Sequence, residues 1–216
     1  MGKKKIVKVC GMRDTENIKS VIAAGADWIG FIFYEHSPRF IDEGTEFLRG
    51  KIQHGDRHIK KVGVFVDASL EEMLSSVVEY NLDYLQLHGE ESPDTCYALQ
   101  KRGISVIKAF PVATEEDLQI TRDYEGRADY FLFDTRSNLL GGSGKQFDWQ
   151  LLNTYKGETP FLLSGGLSPD SLTELQTFSH TRFAGIDLNS GFESAPAQKD
   201  AMKIKKFISD FLLHQK

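Results

Sequence analysis

Cysteine is scarce in this chain: its 216 residues include only Cys10 and Cys96. The two cysteines form no Cys-x-x-Cys pair and no metal-ligand cluster with histidine, so we expect neither a disulfide nor a metal site. Two isolated thiols are typical of a protein that stays in a reducing cytoplasm.

Long apolar runs and basic clusters are also missing. No stretch has the roughly 20 apolar residues of a membrane-spanning helix, and the basic residues 3–5 lead into a strand with polar residues rather than into a signal-peptide core. The net charge is −5, and no group of lysines and arginines is interleaved with aromatic residues, which argues against nucleic acid as a partner. We expect a cytoplasmic protein that binds a small molecule and neither nucleic acid nor membranes. Monomer and homodimer both stay open.

Short apolar segments alternate with amphipathic segments along the whole chain. The apolar segments start near residues 6, 28, 61, 83, 104, 129, 161 and 184. Eight strand-helix units predict an α/β fold, a (β/α)8 TIM barrel, as a single domain over residues 1–216. A doubly wound open sheet is the alternative, but its first strand should lead into a Gly-x-Gly-x-x-Gly turn, and here it leads into Cys10-Gly11-Met12-Arg13.

Capping residues predict where the helices begin and end. Asp14 and Ser69 are good N-caps for helices that end at Ala24 and near Tyr80. The other predicted helix starts, in chain order, are Asp42 (ending near Arg49), Ser92-Pro93, Thr114-Glu115-Glu116, Asp148, Ser168-Pro169 and Gln198 (ending at Leu213).

A carboxylate and a glycine-rich loop follow the sixth predicted strand. Tyr130 to Phe133 form an apolar run without alternation, which is typical of a strand buried on both faces of a parallel sheet. Asp134 ends this strand, and parallel α/β proteins place their chemistry where strands end. Asp134 is therefore a candidate functional residue. The alternative is that it only accepts hydrogen bonds from loop amides.

Cys10 stands at the end of the first predicted strand, before Gly11. Alternate side chains of a barrel strand face the interior, so Lys8 is expected on the same face, one layer below Cys10. A nearby ammonium favours the thiolate, which would make Cys10 a usable base or nucleophile near neutral pH. The alternative is that Cys10 is a small buried hydrophobe.

Glycine-rich turns follow the seventh and eighth predicted strands. Ser164-Gly165-Gly166-Leu167 leads into a helix, and Asn189-Ser190-Gly191 follows the last strand. Backbone N–H groups and a helix N-terminus at this place in a barrel suit a phosphate, so we expect a phosphate-binding type of barrel. The alternative is that these glycines serve the turns alone.

Other polar residues fall near strand ends. Arg39, in a loop stiffened by Pro38, is a candidate to bind a carboxylate through its guanidinium fork, the alternative being a solvated loop arginine. Gln86 and His88 should share the inward face of the fourth strand, and Lys108 ends the fifth; interior polar groups need partners. His88 is expected to line or orient the pocket rather than bind a metal, because no second histidine stands at ligand spacing.

Several short motifs run through the chain. In order they are Lys8-Val9-Cys10-Gly11, Gly25-Ala26-Asp27 with Gly30-Phe31-Ile32-Phe33, Ser37-Pro38-Arg39, Val62-Gly63-Val64-Phe65-Val66, Gln86-Leu87-His88-Gly89, Asp134 with Gly141-Gly142-Ser143-Gly144 and Phe147-Asp148-Trp149, Ser164-Gly165-Gly166-Leu167, and Asp187 to Glu193 with Lys199-Asp200. Together, over essentially the whole length, they resemble the phosphoribosylanthranilate isomerases. The departures are mild: Ser143 stands where threonine is common, and Asn189 lies in a segment that is more serine-rich in the family.

The resemblance implies an isomerase of tryptophan biosynthesis that works without cofactor or metal. Its reaction is the Amadori rearrangement of N-(5-phosphoribosyl)anthranilate to 1-(2-carboxyphenylamino)-1-deoxyribulose 5-phosphate. By resemblance Asp134 is the general acid, with a pKa raised by burial, and Cys10 is the general base. Lys8, paired with Asp187, would set the charge balance, and Arg39 would hold the anthranilate carboxylate. The substrate-binding residues implied in all are Arg39, His88, Gly165, Gly166, Asp187, Ser190 and Gly191.

Two other functions fit part of this pattern. One is another phosphosugar barrel enzyme, but a metal-dependent epimerase needs His and Asp ligands on several strands, and a histidine-pathway isomerase needs Asp in place of Cys10. The other is a catalytically silent barrel that binds a phosphate ligand. It would explain the glycine-rich loops but gives no reason for an acid and a thiol at opposite strand ends.

Overall fold

The chain forms a barrel in a computed structural model that describes residues 4–41, 49–50, 52–54, 57–134 and 149–213. The strands, in chain order, are β1 (Ile6–Val9), β2 (Trp28–Ile32), β3 (Ile52–His54), β4 (Arg57–Phe65), β5 (Tyr84–Leu87), β6 (Ser105–Pro111), β7 (Tyr130–Asp134), β8 (Phe161–Ser164), β9 (Phe183–Leu188), β10 (Glu193–Ala195) and β11 (Gln198–Lys199). The α-helices are α1 (Thr15–Ala23), α2 (Leu70–Tyr80), α3 (Pro93–Gln100), α4 (Leu172–Thr177) and α5 (Ala201–Leu213). Shorter 3-10 segments cover Glu116–Tyr124, Trp149–Thr154, Pro169–Ser171 and Ser190–Phe192.

Eight of these strands are parallel and close on themselves. They pair in the order β2, β1, β9, β8, β7, β6, β5, β4, and β2 pairs again with β4 to complete the ring. The register places Lys8 opposite both Trp28 on β2 and Asp187 on β9. The predicted (β/α)8 barrel is therefore confirmed. The seventh and eighth predicted strands correspond to β8 and β9.

Aromatic side chains fill the amino end of the barrel. Trp28, Tyr84 and Tyr130 each begin a strand, and their rings meet there. Trp28 stacks on Tyr84 with ring centroids 4.5 Å apart and meets Tyr130 edge-on at 5.3 Å. Buried apolar residues of the neighbouring strands complete this layer. Because this end is packed, the opposite, carboxyl end of the strands is the one left for a binding site.

The predicted N-caps are confirmed. The side chain of Asp14 accepts a hydrogen bond from the backbone N–H of Asn17, and Ser69 and Ser92 accept from the N–H three residues on. These bonds satisfy amide groups that have no partner inside the helix. Local sequence was sufficient here because a cap needs only its own first turn.

Other predicted boundaries were wrong. The last helix begins at Ala201 rather than Gln198, because Gln198–Lys199 pairs antiparallel with Glu193–Ala195 as a small hairpin. After Thr114 the chain forms a 3-10 segment instead of an α-helix. The third barrel strand starts at Arg57, four residues early, extended by its antiparallel pairing with β3. The predicted helix start at Asp148 and, apart from Arg49, the helix from Asp42 lie outside the described residues.

None of the helices in the described ranges is long and apolar enough to span a membrane.

Candidate active site

A cavity of about 530 Å³ opens at the carboxyl end of the barrel. Its lining includes most of the residues singled out from the sequence, namely Cys10, Arg39, Gln86, His88, Asp134, Gly165, Gly166, Asp187 and Ser190. Asn189, Tyr34 and the apolar side chains Ile32, Val64 and Val66 complete much of the wall. The fold therefore brings residues from both ends of the sequence to one site.

A buried ion pair lies beneath this cavity. Lys8 is fully buried, and its Nζ donates to Oδ2 of Asp187 at 2.7 Å. The two residues face each other in register on neighbouring strands β1 and β9. The expected pairing of Lys8 with Asp187 is confirmed. Burial alone would lower the pKa of Lys8, but Asp187 and Cys10 raise it, so Lys8 stays an ammonium.

Cys10 sits above this pair, in a position that Gly30 makes possible. A Cβ on Gly30 would stand 2.7 Å from Sγ of Cys10, so a larger residue on β2 would displace the thiol. Cys10 is only 4% exposed although it lines the cavity. A thiol in this place has access to the cavity and almost none to bulk water.

We expected Lys8 to favour the thiolate of Cys10 near neutral pH. This prediction was wrong, because the pKa of the Cys10 thiol is raised and not lowered. Burial raises the pKa of the Cys10 thiol; Lys8 lowers it, and Asp187 raises it again. Removing the thiolate from water costs more free energy than its attraction to the Lys8 ammonium recovers, because Asp187 already neutralises much of the lysine charge. Burial likewise raises the pKa of Asp187, against the effect of Lys8.

This electrostatic balance predicts how Cys10 titrates. Below its pKa, the thiolate fraction rises about tenfold with each pH unit, so alkylation of Cys10 by iodoacetamide should still accelerate above pH 9.0, the ordinary pKa of the group. Asp187→Asn removes a charge that raises this pKa and should move the midpoint to lower pH. Mass spectrometry distinguishes Cys10 from Cys96, whose pKa burial raises to about 11. A midpoint near pH 7 in the wild type would contradict the role of burial.

A second polar chain crosses the cavity from β5 to β7. Nε2 of His88 lies 3.3 Å from Oδ2 of Asp134, and Nδ1 of His88 lies 2.9 Å from Nε2 of Gln86. Asp134 is 5% exposed and His88 about a quarter exposed. Since Gln86 donates to Nδ1, the proton of a neutral His88 is on Nε2, facing Asp134. His88 therefore orients the carboxyl group.

Two buried oxygen atoms in the cavity wall lack a hydrogen-bond partner among the described residues. They are Oε1 of Gln86 and Oδ1 of Asp187. Buried polar atoms normally have partners. Both are acceptors, so hydroxyl or N–H groups of a polar ligand would satisfy them.

The turn after β8 places two glycines in the left-handed region of the backbone. Gly165 and Gly166 have φ values of +90° and +68°, a conformation that side-chain-bearing residues rarely adopt. The predicted helix start after them is a 3-10 turn, capped by Ser168. Gly191 does not line the cavity; a Cβ there would lie 2.1 Å from the carbonyl oxygen of Leu167. Because Gly191 has no side chain, the glycine-rich turns after β8 and β9 can pack together.

Arg39 is held by a carboxylate that no sequence pattern identified as its partner. Its Nε and Nη2 donate to the two carboxylate oxygens of Glu193 at 2.8 and 2.6 Å. The hydrogen bonds to Glu193 raise the pKa of Arg39. Glu193 also pairs with Lys199. Arg39 is therefore fixed at the rim of the cavity rather than free in solvent.

Lys108 supports the loop that carries His88. It is buried, and its Nζ donates to Oε2 of Glu91 and to the backbone carbonyls of Leu87, Gly89 and Ala109. Glu91 in turn accepts from the N–H of Gly89. Lys108 is buried as expected, but it lies in the middle of β6 rather than at its end, and it does not line the cavity.

No group of three or more His, Cys, Asp or Glu side chains in the described part of the chain is placed to hold a metal ion.

Comparison with known proteins agrees with this geometry. A family model described as N-(5'phosphoribosyl)anthranilate (PRA) isomerase matches residues 7–210. The N-(5'-phosphoribosyl)anthranilate isomerase of Parabacteroides distasonis is 58% identical, over 96% of this chain and 93% of that protein. The crystal structure of phosphoribosyl anthranilate isomerase from Thermotoga maritima has a TM-score of 0.79 at 33% identity, over 96% of this chain and 98% of that one.

One further crystal structure of this enzyme class contains a ligand. It is phosphoribosyl anthranilate isomerase in complex with reduced 1-(o-carboxyphenylamino)-1-deoxyribulose 5-phosphate, with a TM-score of 0.75 at 30% identity, over 96% of this chain and 98% of that one. The family model and the curated relative together span nearly the whole chain. The chain therefore belongs to the N-(5'-phosphoribosyl)anthranilate isomerase family.

Proposed function

We propose that Cys10 and Asp134 are the base and acid with which this chain isomerises N-(5'-phosphoribosyl)anthranilate. The isomerase activity, a step of tryptophan biosynthesis, follows from membership of the family. The observation that carries the residue roles is the shared cavity, which is lined both by the buried thiol that follows β1 and by the buried carboxyl group at the end of β7. An acid and a base at different places in one cavity suit a substrate that must gain a proton at one atom and lose one at another.

Asp134 serves the first step, the opening of the ribose ring. Its proton goes to the ring oxygen as the bond from that oxygen to C1′ breaks, leaving a Schiff base between C1′ and the anthranilate nitrogen. Asp134 is 95% buried, so its carboxyl group delivers this proton away from bulk water. His88, held by Gln86, keeps the carboxyl group oriented.

Cys10 serves the second step. Its thiolate takes the proton from C2′ of the Schiff base, and the electron pair moves toward the nitrogen to give an enolamine. The enolamine becomes the ketone by gaining a proton at C1′ and losing the proton of its hydroxyl group, so the overall reaction is an isomerisation. Lys8 balances the thiolate charge, and the unpaired Oδ1 of Asp187 is a partner for a sugar hydroxyl.

The ends of the substrate are bound at separate places in the cavity. Backbone N–H groups at Gly165, Gly166 and Ser190 bind the phosphate, and Arg39 binds the anthranilate carboxylate. This arrangement agrees with the ligand in the related complex, which carries both a phosphate and a carboxyphenylamino group. A silent phosphate-binding barrel is the alternative, and nothing in it would require a thiol over a lysine.

A turnover measurement tests the activity directly. Anthranilate derivatives are fluorescent, so mixing the protein with freshly made N-(5'-phosphoribosyl)anthranilate should change the fluorescence as the substrate is consumed. A signal that decays no faster than in buffer would support the silent barrel instead.

Arg39→Met is expected to weaken binding of the product about ten- to a hundredfold, the range for loss of a charge-assisted hydrogen-bond pair. Glu193 keeps its partner Lys199, so the variant leaves no unpaired buried carboxylate. Inorganic phosphate should bind as before, because its site lies on the loops after β8 and β9. Calorimetry with product and with phosphate measures both effects.

Arg127→Met is the matched control for this experiment. Arg127 also donates to a carboxylate, Oδ1 of Asp94 at 2.8 Å, but on the outer surface. Product binding to this variant should equal that of the wild type. Equal loss of product and phosphate in Arg39→Met would mean that Arg39 supports the pocket as a whole. No loss for either ligand would remove Arg39 from the binding site.

The assembly and location of the chain are part of the proposal. A related phosphoribosylanthranilate isomerase from Thermotoga maritima is described as dimeric, and for this chain monomer and homodimer both stay open. Sedimentation equilibrium measures which state is present. A cytoplasmic location stays a prediction.

A further inference from the structure

A four-residue cluster beside the cavity links two elements that follow β9. Lys199, on β11, has a side chain that is fully buried, and its Nζ donates to Oδ1 of Asn189 at 2.9 Å. The same Nζ pairs with Glu193, the carboxylate that holds Arg39. Glu193 and Lys199 thus fix both Asn189 and Arg39, and only the latter two line the cavity.

Lys199 determines which way the Asn189 amide points. An ammonium has three donors and no acceptor, so the atom of Asn189 that faces it must be the carbonyl oxygen. The amide nitrogen Nδ2 is then at the other branch of the side chain and has no partner among the residues in the described ranges. Asn189 therefore presents two N–H donors at the cavity wall, and the buried lysine prevents the amide from turning over.

The Asn189 amide lies on the Arg39 side of the cavity. A Cβ on Gly11 would stand 2.6 Å from Cδ of Arg39 and 3.0 Å from Oδ1 of Asn189, so both side chains pack over the same glycine. Arg39 uses Nε and Nη2 to bind Glu193. Its other terminal nitrogen, Nη1, donates no hydrogen bond to the part of the chain that the structure describes. Two sets of unused donors, from Arg39 and from Asn189, therefore lie together.

We propose that Asn189 is a further substrate-binding residue, which donates from Nδ2 to the anthranilate carboxylate beside Arg39. This inference rests on the proposed role of Arg39 in binding that carboxylate. A carboxylate has two oxygens with about four acceptor positions, so it can accept from a guanidinium and an amide at once. Glu193 and Lys199 are positioning residues for this pair of donors, because they act through Arg39 and Asn189.

The test compares the product with an analogue that lacks only the carboxylate, 1-phenylamino-1-deoxyribulose 5-phosphate. Binding of both is measured by calorimetry to the wild type, Asn189→Leu and Arg39→Met. Asn189→Leu keeps the shape of the side chain but cannot donate. It should weaken binding of the product about ten- to a hundredfold, as for the loss of a hydrogen bond to a charged group, and leave binding of the analogue unchanged. Asn153→Leu, at an exposed asparagine whose side chain bonds only to Gln150 among the described residues, is the control.

Three results with the Asn189 variants would overturn the inference. Equal weakening of both ligands in Asn189→Leu would place the contact on the phosphate or the sugar, and unchanged binding of both would remove Asn189 from the site. If Asn189→Leu fails to fold by circular dichroism, Asn189→Asp replaces it. Asp keeps the acceptor for Lys199 and exchanges the donor for a negative charge, so it should disfavour the product more than the analogue; equal effects would again contradict us.

The proposed role of Arg39 is tested separately in the same experiment. If the wild type prefers the product and Arg39→Met abolishes that preference, Arg39 binds the carboxylate whatever Asn189 does. If the wild type binds both ligands equally, the carboxylate is not recognised and both the Arg39 role and the Asn189 inference fail.

Discussion

Replacing Cys10 by alanine is expected to lower kcat by about 10²–10⁴-fold, the usual contribution of a positioned base. Water cannot replace the thiolate, because the residue is 96% buried and lies between the cavity and the Lys8–Asp187 pair. The product should still bind, since its phosphate and carboxylate are held elsewhere. Steady-state turnover by fluorescence and product binding by calorimetry measure the two effects.

Cys96→Ala is the matched control for Cys10→Ala. Cys96 is the other buried cysteine, but it lies on α3 and does not line the cavity. It should retain turnover near that of the wild type even if truncation of a core side chain lowers its stability. A Cys10→Ala protein that kept more than about a tenth of the wild-type kcat, against the range expected for a base, would show that the thiol is not the base.

Asp134→Asn is expected to produce a large fall in kcat with little change in KM. The amide has the size of the carboxylic acid but no proton that can be transferred to the ring oxygen, and an interaction used only in the transition state affects kcat. Binding of the substrate should persist because its phosphate and carboxylate ends do not contact Asp134. Initial rates over a range of substrate concentrations separate kcat from KM.

The control for Asp134→Asn is Asp129→Asn, one residue before the same strand. Asp129 lies at the amino end of β7, where Oδ2 accepts from the backbone N–H of Val106 at 2.8 Å. This variant changes the same functional group at the opposite end of the barrel. It should lower stability modestly and leave kcat intact. A comparable loss of kcat in both variants would mean that the charge of β7, and not a proton from Asp134, is what matters.

The sequence predicted the features that depend on one strand and its repeat. The barrel followed from the apolar runs, because a strand buried on both faces has few polar residues, and the placement of Lys8 below Cys10 followed from alternation along β1. Asp134 and the glycine-rich turns could be located because strand ends are where a barrel binds its ligand. These predictions need no knowledge of which strands touch.

The features that the sequence did not predict arise where distant segments meet. Arg39 and Glu193 are 154 positions apart, and no local pattern links them. One exception is local: the hairpin of β10 and β11 replaced the predicted start of the last helix, and its strands of three and two residues are too short to give a recognisable strand pattern. The direction of the Cys10 pKa shift depends on how completely the thiol is removed from water. Alternation along a strand predicts which side a residue faces but not how deeply it is buried.

The central claim is that the thiolate of Cys10 is the base, so that the fraction of ionised thiol sets the rate of the reaction. It is tested most directly by measuring kcat/KM against pH and comparing the curve with the pH dependence of Cys10 alkylation in the same protein. Since kcat/KM reports groups of the free enzyme, we predict that the rising limb of the rate has the same midpoint as the thiol, above pH 9.0. In Asp187→Asn both midpoints should move to lower pH together. A rising limb well below the alkylation midpoint, or one that stays in place while the thiol shifts, would contradict Cys10 as the base.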